Sequence, residues 1–506
     1  MSTREALLST RTLGALAGFL LVAAAPAVVA AHGLSPVYES PLPLAVYLVG
    51  AAATVALSFV FVLARDMRAG PPPETRIATV PIVVRVGLRV IGLVGWVWII
   101  AQGIAGGSSD AAVATLFLWV YGWVGIAALS AFVGPVWEWL DPFATLHDIL
   151  AWILRRAGVH GWAPSDLPGW VGVWPAVAGL TFFVWLELVA IAGNATLTVV
   201  VAGYTLVTLA MMAQFGRDQW RARGETFTVW FRTLNRLAPA GVVLASERVP
   251  VVDDEGDPDV DPDAVDPRVV VRRPFASALL AVSWSTSRIT LVAVATGSIL
   301  FDGLSQTVAF ASVFGAPATL PKTLILLAFL GIIVVAALTV SRTVSPGAIG
   351  AGLLPISVGY LVAHYLTFLF IDGQRIVIAI SDPLQRGDDL FGTAFYQLNT
   401  TVLPAGLVWT VQLAAVVGGH MLGAWSGHVT AARDVEAEEN GREPRDMRHR
   451  RLPRFRSLRG RNMRVREIPL AVVMVALTTL TLWSLGQAIV QQTAPTSAVP
   501  ATTRPL

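Results

Sequence analysis

Long apolar runs alternate with short polar or arginine-rich stretches along most of this 506-residue chain. A helix of about 20 apolar residues is long enough to cross the hydrocarbon core of a membrane. Ten runs reach this length, and they lie at 42–64, 84–105, 112–133, 173–193, 196–216, 284–303, 321–341, 349–371, 403–425 and 468–490. The pattern therefore predicts an all-α integral membrane protein with ten transmembrane helices in contact with the lipid bilayer. The sixth run has the weakest signal, because it begins with the polar sequence SWSTSRIT.

The N-terminal segment 1–31 has the pattern of a signal peptide. Arg4 and Arg11 precede an apolar run that ends in small residues, which is the arrangement of secretory signals. Cleavage after Ala30 or Ala31 is predicted, and the second site leaves His32 as the mature N-terminus. An uncleaved first helix is the alternative.

The distribution of basic residues predicts the orientation of the chain. If His32 is outside, the loops 65–83, 134–172, 217–283, 342–348 and 426–467 lie inside. Only four basic residues then fall outside, and they are Lys322, Arg375, Arg386 and Arg504. Because cytoplasmic loops carry the excess of Lys and Arg, we expect a multi-pass protein of the cell membrane with both mature termini extracytoplasmic.

The spans and loops divide the chain into consecutive regions. These are helices 1–5 in 32–216, a cytoplasmic loop in 217–283, helices 6–9 with an outer loop (372–402) in 284–425, a basic cytoplasmic loop in 426–467, the last helix in 468–490 and an extracytoplasmic tail in 491–506.

Four segments of the inner loops have distinctive compositions. Aromatic and leucine residues at helical spacing, with arginines opposite, predict interfacial amphipathic helices at 141–158 and 227–239. The alternating Asp and Pro of 253–267 favour a solvated linker over a calcium loop, since the EF-hand glycine and glutamate are not in place. The basic stretch 442–467 is expected to attract anionic lipid. It is not surrounded by a nucleic-acid-binding domain, and no nucleic-acid partner is predicted.

Composition narrows the chemistry. Hydrophobic residues make up 55% of the chain and charged residues 14%, whereas about a quarter of a soluble domain is charged. The sequence has no cysteine, which excludes iron–sulfur clusters, c-type haem attachment and thiolate zinc sites. A divalent metal, copper or zinc, would need His, Asp or Glu ligands.

Five ionisable residues are predicted to share the outer leaflet. At 1.5 Å per residue, Glu187 lies about 9 Å and His364 about 10 Å below the outer surface. Asp302 and Asp372 end their helices at that surface, and His32 follows the signal region. Charged groups at membrane depth usually mark function, so we predict catalytic roles for His364, Glu187 and Asp372 and metal ligation by His364, Asp302, Asp372 and His32. A structural hydrogen bond or a helix-end turn remains the alternative for each.

Other polar residues have a weaker claim to this site. Tyr360 lies one helical turn before His364 and can share its face. His420 is predicted about 25 Å below the outer surface, too far inward to share a haem with His364, and it is expected to pack against a neighbouring helix. His428 is predicted to be interfacial. The loop 375–404 is long and rich in apolar residues, and we expect it to fold as a lid over His364.

Six segments of the chain have a distinctive sequence, and they are AHG (31–33), FDGLSQT (301–307), LPISVGYLVAHYLTFLFIDGQ (354–374), SDPLQRGDDLFGT (381–393), QLAAVVGGH (412–420) and VMVALTTLTLWSLGQ (473–487). These segments resemble a family of bacterial and archaeal membrane proteins commonly labelled fenitrothion hydrolase. Members often have Gly-Trp before LFGT, where this chain has Asp388 and Asp389. The resemblance implies hydrolysis of a phosphotriester-like substrate.

Three functions are compatible with the sequence. The first is a hydrolase that uses a metal at the outer face to activate water. The second is a membrane transporter or metal-ion permease, for which ionisable residues inside helices are typical. The third is an assembly subunit that acts with partners in a membrane complex.

Overall fold

The computed structural model describes residues 49–50, 53, 76–106, 112–159, 164–242, 268–280, 284–439 and 468–485. The predicted signal region, the acidic linker 253–267, the basic stretch 442–467 and the tail 491–506 lie outside the described residues, as does all but three residues of the first predicted span.

The described residues form a mostly helical protein. In chain order the helices are α1 (Ile82–Ala105), α2 (Val113–Phe132), α3 (Trp137–Leu140), α4 (Pro142–Arg156), α5 (Trp174–Trp185), α6 (Asn194–Phe215), α7 (Arg217–Arg223), α8 (Thr226–Leu234), α9 (Thr286–Ser305), α10 (Val308–Phe314), α11 (Thr319–Thr343), α12 (Pro346–Ile371), α13 (Arg375–Ser381), α14 (Ala405–Glu439) and α15 (Ile468–Leu485). Helix α2 includes a π-helical stretch, Leu116–Ile126, and α5 continues into a π-helical turn, Leu186–Ala190.

Eight of these described helices are long and apolar enough to cross a membrane. They coincide with the second to ninth predicted spans, which confirms a multi-pass membrane protein at this level. The tenth predicted span is the shorter apolar helix α15. One boundary differs, because α14 continues to Glu439 through residues that the sequence assigned to a loop.

Helix α9 lies at the centre of the bundle although it begins with the weakest apolar signal. Most of its residues are buried inside the protein. The polar residues at its start make hydrogen bonds. The Ser285 hydroxyl caps the helix by accepting from Arg288 N, and Ser287 Oγ accepts a hydrogen bond from Val173 N at 3.1 Å. A helix surrounded by other helices does not need a uniformly apolar surface, which explains the weak hydropathy.

Helices α12 and α14 pack closely through glycines. A Cβ atom on Gly419 would lie 2.7 Å from the carbonyl oxygen of Pro355, and one on Gly427 would lie 2.7 Å from that of Ala348. Such small residues allow the close backbone contact on which membrane helix packing depends. Pro355 lacks the N–H that would bond the Ala351 carbonyl, and the Ser426 hydroxyl of α14 donates to that carbonyl at 2.8 Å.

One end of the bundle carries most of the described arginines, and we call it the arginine-rich end, defined by Arg89, Arg217, Arg221, Arg232 and Arg273. It includes a small antiparallel sheet that the sequence did not predict, with β1 (Arg76–Thr79) and β2 (Ala240–Gly241) on either side of β3 (Val269–Arg272). Asp148 of α4 pairs with Arg89 at 3.0 Å and with Arg217 at 2.8 Å, which fastens α4 to the bundle.

The two predicted interfacial helices behave differently. Helix α4 leaves Ile149, Trp152 and Ile153 exposed, as a helix on a lipid surface requires. Helix α8 instead buries its aromatic side chains in the protein, where Trp230 stacks on Trp123 with ring centroids 6.0 Å apart. Its amphipathic pattern therefore reflects packing against helices, and the interfacial assignment of 227–239 is not what the structure has.

The predicted lid lies at the opposite end of the bundle. It begins as helix α13 and continues as a loop organised by its own acids, because Asp382 accepts hydrogen bonds from the backbone N–H groups of Arg386 and Gly387 at 2.8 and 3.0 Å. The Pro383 carbonyl accepts a 2.7 Å hydrogen bond from Trp98 Nε1 of α1. These contacts place the loop over the end of α1 and do not join it to His364.

Candidate functional site

Asp302, near the end of the central helix α9, has a carboxylate that three side chains hold. His364 Nε2 and Tyr365 Oη of α12 lie 3.0 and 2.8 Å from Asp302 Oδ2. Gln306, one turn further along α9, donates to Oδ1 at 2.7 Å. The Asp302 side chain is only 9% exposed. We call these four residues, Asp302, Gln306, His364 and Tyr365, the Asp302 cluster.

The cluster depends on a close approach between α9 and α12. A Cβ atom on Gly303 would lie 2.5 Å from Tyr360 Oη and 3.4 Å from both His364 Cε1 and Ser484 Oγ, so a larger residue at this position would displace the Tyr360 hydroxyl. Tyr360, one turn before His364, bonds Ser484 of α15 through its hydroxyl at 2.8 Å. The expected position of Tyr360 beside His364 is therefore what the structure shows, with ring centroids 5.6 Å apart.

Two further ionisable groups, on other helices, interact electrostatically with the cluster. Glu187, in the π-helical turn after α5, lies within electrostatic range of Asp302 and Tyr365. Lys322, the single lysine of the chain, lies within electrostatic range of Asp302 from the start of α11. The turn that carries Glu187 ends at Ile191, whose φ of 46° is strained for a β-branched residue. Such strain is concentrated at functional sites.

The predicted site residues are thus only partly brought together. Asp302 and His364 are in contact, and Glu187 is near them. Asp372 instead accepts a hydrogen bond from Arg375 Nε at 3.1 Å, and it lies about 12 Å along the helix axis from His364. His32 lies outside the described residues.

The hydrogen bonds of Asp302 bear on whether it could act as a metal ligand. Both carboxylate oxygens of Asp302 already accept hydrogen bonds, whereas Nδ1 of His364 has no hydrogen-bond partner among the described residues. A histidine that ligates a metal typically donates its other ring N–H to a carboxylate. Asp302 is therefore placed to orient His364 rather than to ligate. In the part of the chain that the structure describes, no three His, Asp or Glu side chains converge as a metal site.

His420 and His428 lie apart from the cluster. His420 is buried, and its Nδ1 lies 2.8 Å from the carbonyl oxygen of Val416 on its own helix. Its neighbour Gly419 packs against Pro355, which places it about two helical turns inward of His364. His428 is also buried, because α14 packs against α12 at this level, and it is not exposed at an interface.

Four residues at or near the site were not predicted from the sequence to belong to it, and they are Gln306, Lys322, Tyr365 and Ser484. Gln306 follows Asp302 by four residues and Tyr365 is adjacent to His364, so helical spacing could have suggested both. Ser484 and Lys322 carry no such signal, because only the tertiary structure brings their helices to α9 and α12.

Comparison of the chain with protein-family models, with curated protein sequences and with solved structures returns no match. The resemblance to the fenitrothion hydrolase family therefore stays a prediction, and the functional argument rests on the geometry of the Asp302 cluster.

Proposed function

We propose that this protein is a membrane transporter and that the Asp302 cluster is its proton-binding centre. The observation that carries the proposal is the buried Asp302 carboxylate, which His364 and Tyr365 hold inside a bundle of apolar helices. Ionisable groups in this setting are costly and mark ion or proton pathways. Glu187 is a second acid within electrostatic range of Asp302. Two negative charges inside an apolar bundle disfavour each other, which favours binding of a proton by the pair.

Hydroxyl groups continue from the cluster toward the arginine-rich end. On α12, Tyr360 precedes His364 by four residues and Ser357 precedes Tyr360 by three, which keeps all three on one face. Tyr360 bonds Ser484, and Ser357 bonds the Thr296 hydroxyl of α9. The row extends about 10 Å along the helix. A transporter needs polar groups that lead inward from its binding site, whereas a hydrolase at one surface does not.

Pro355 gives α12 a point at which it can bend. It lies about 13 Å along the helix axis from His364, and the Ser426 hydroxyl replaces the hydrogen bond that proline removes. Kinks in helices are commonly found at proline, and broken helices near the membrane midplane are typical of transporters. Bending here would alter the access of the Asp302 cluster to the two sides of the membrane.

The proposal is tested by electrical recording from proteoliposomes adsorbed on a solid-supported membrane. A jump in pH should produce a transient displacement of charge in the wild type as protons bind. Asp302→Asn should abolish the transient, whereas Asp372→Asn, the same change at a partly exposed helix end, should leave it intact. An unchanged transient in Asp302→Asn would refute the proposal.

The hydrolase hypothesis is retained as a second candidate because of one feature of His364. Its Nε2 bonds Asp302 while Nδ1 has no partner among the described residues, and a histidine oriented by a carboxylate can act as a general base or as a metal ligand. Copper or zinc bound at Nδ1 would supply an activated water. Retention of copper or zinc by the purified wild type and its loss in His364→Ala, measured by mass spectrometry, would favour this candidate.

A further inference from the structure

Helix α4, at the arginine-rich end, presents an exposed apolar surface. At 3.6 residues per turn, five large apolar side chains fill one continuous arc of the helix, and they are Ile149, Leu150, Trp152, Ile153 and Leu154. Each of these residues is between 41 and 55% exposed. The opposite arc, with His147, Asp148 and Ala151, is less exposed and faces the protein. Helix α4 therefore directs its apolar side outward, which reverses the usual arrangement of a helix on the surface of a soluble protein.

The ion pair of Asp148 with Arg89 gives the level of α4 along the bundle. Arg89 lies seven residues after the first residue of α1 (89 − 82), which is about 10 Å along the helix axis. On either side of this level, Val83, Val86 and Val90 of α1 are exposed, and α1 is long and apolar enough to cross a membrane. Helix α4 therefore lies beside the lipid-facing surface of α1 and not beyond its end. This is the depth at which amphipathic helices lie at the boundary between lipid headgroups and acyl chains.

The charges of α4 leave a positive end on the helix. Its acidic side chain, Asp148, pairs with one arginine of α1 and with Arg217 of α7, so its charge is balanced within the protein. Arg155 and Arg156 lie in the last turn and are exposed, and neither forms an ion pair with an acid among the described residues. The guanidinium of Arg156 lies 5.5 Å from the centre of the Trp152 ring, which places a cation beside the apolar arc. Such a combination of apolar surface and positive charge is complementary to anionic lipid.

We propose that α4 is a docking surface for anionic lipid. Its apolar arc lies at the boundary between headgroups and acyl chains, and Arg155 and Arg156 bind the phosphate groups of anionic headgroups. Two observations favour lipid over a second protein as the occupant. The arc continues the exposed apolar face of α1, and arginine forms paired hydrogen bonds that suit phosphate oxygens.

The test makes use of a sequence without cysteine, because a single introduced cysteine then carries a single label. The Ile153→Cys chain is labelled with the fluorophore nitrobenzoxadiazole and reconstituted in liposomes of phosphatidylcholine and phosphatidylglycerol. A nitroxide near the headgroup end of one acyl chain is carried either by the phosphatidylglycerol or by the phosphatidylcholine, at equal mole fraction. Quenching of the fluorophore then reports which lipid lies beside α4. The Ile149→Cys chain repeats the measurement at a second position of the same arc.

Both lipids should quench the fluorophore, and phosphatidylglycerol should be preferred. One basic residue near an anionic surface gives about a fivefold preference, so the ratio of the two apparent affinities should be at least about fivefold. Adding Arg155→Gln and Arg156→Gln to the labelled chain should bring this ratio close to one, while quenching by both lipids remains. Arg342→Gln, at an exposed arginine in the last turn of α11, is the matched control and should keep the preference.

Three results would overturn the proposal. Equal quenching by the two lipids before the arginines are changed would mean that Arg155 and Arg156 only complement the helix dipole. A preference that survives both arginine changes would assign lipid recognition to another part of the chain. No quenching at Ile153→Cys or Ile149→Cys would mean that a second copy of the chain, another protein or water covers the arc. None of these results depends on proton binding by Asp302, so the proposal can fail while the proposed transport function holds.

Discussion

Replacing Tyr365 by phenylalanine removes one hydrogen bond from the Asp302 carboxylate and leaves the ring buried. Tyr360→Phe is a close control, because Tyr360 is equally buried and bonds only the neutral Ser484 hydroxyl. Side-chain hydrogen bonds in membrane proteins contribute about 0.6 kcal/mol on average, and an ionised acceptor roughly doubles that contribution. We therefore expect Tyr365→Phe to lower the free energy of unfolding by about 1–1.5 kcal/mol and Tyr360→Phe by about 0.6 kcal/mol.

The assay is reversible unfolding in mixed micelles with added sodium dodecyl sulfate, followed by fluorescence of the 17 tryptophans. The difference between the two variants is more reliable than either value, since both lose the same hydroxyl from a buried ring. A loss in Tyr360→Phe that equals or exceeds the loss in Tyr365→Phe would show that Asp302 does not carry the charge on which the reasoning depends.

Three other substitutions test separate parts of the structure. Gly419→Ala should lower the melting temperature because its Cβ meets the Pro355 carbonyl, whereas Gly418→Ala, with nothing within 4 Å, should not; a loss in both would contradict the proposed packing of α12 on α14. Ser426→Ala should cost about 1 kcal/mol in the micelle assay, since it leaves the Ala351 carbonyl unbonded, and an unchanged unfolding curve would argue against that contact. The folded-state pKa of Glu138, about 2, lies below its ordinary value of 4.5, so its ionised form stabilises the protein above pH 4.5 and this contribution is lost as the pH falls towards 2. Glu138→Gln should therefore lose less stability than the wild type between about pH 5 and pH 3, and parallel losses would refute the assignment.

The lengths and positions of the helices could be predicted because the bilayer imposes them locally. Each span needs enough consecutive apolar residues to cross the membrane, and this requirement is visible without knowledge of the neighbouring helices. The small sheet could not be predicted in the same way. Its strands β1 and β3 pair Ile77 with Val271, so each short strand depends on a partner far away in the sequence.

The candidate site shows the same division between local and distant information. Asp302, His364 and Glu187 were identified because an ionisable residue in an apolar run is conspicuous. Their contacts were not predictable, since Asp302 and Tyr365 are 63 residues apart and Tyr360 and Ser484 are 124 residues apart. Asp372 has the same local signal as Asp302, yet its partner is Arg375, three residues away in the next turn.

Direct counting of protons tests the central claim, that Asp302 and Glu187 together bind a proton inside the bundle. Purified protein in unbuffered micelles is mixed with small amounts of acid, and the pH indicator pyranine reports how many protons each molecule takes up. Over the pH range in which the wild type gives its charge displacement, it should bind one proton more than the Asp302→Asn, Glu187→Gln double variant. The Asp372→Asn control should bind as many protons as the wild type over the same range. Equal uptake by the wild type and the double variant would contradict the account.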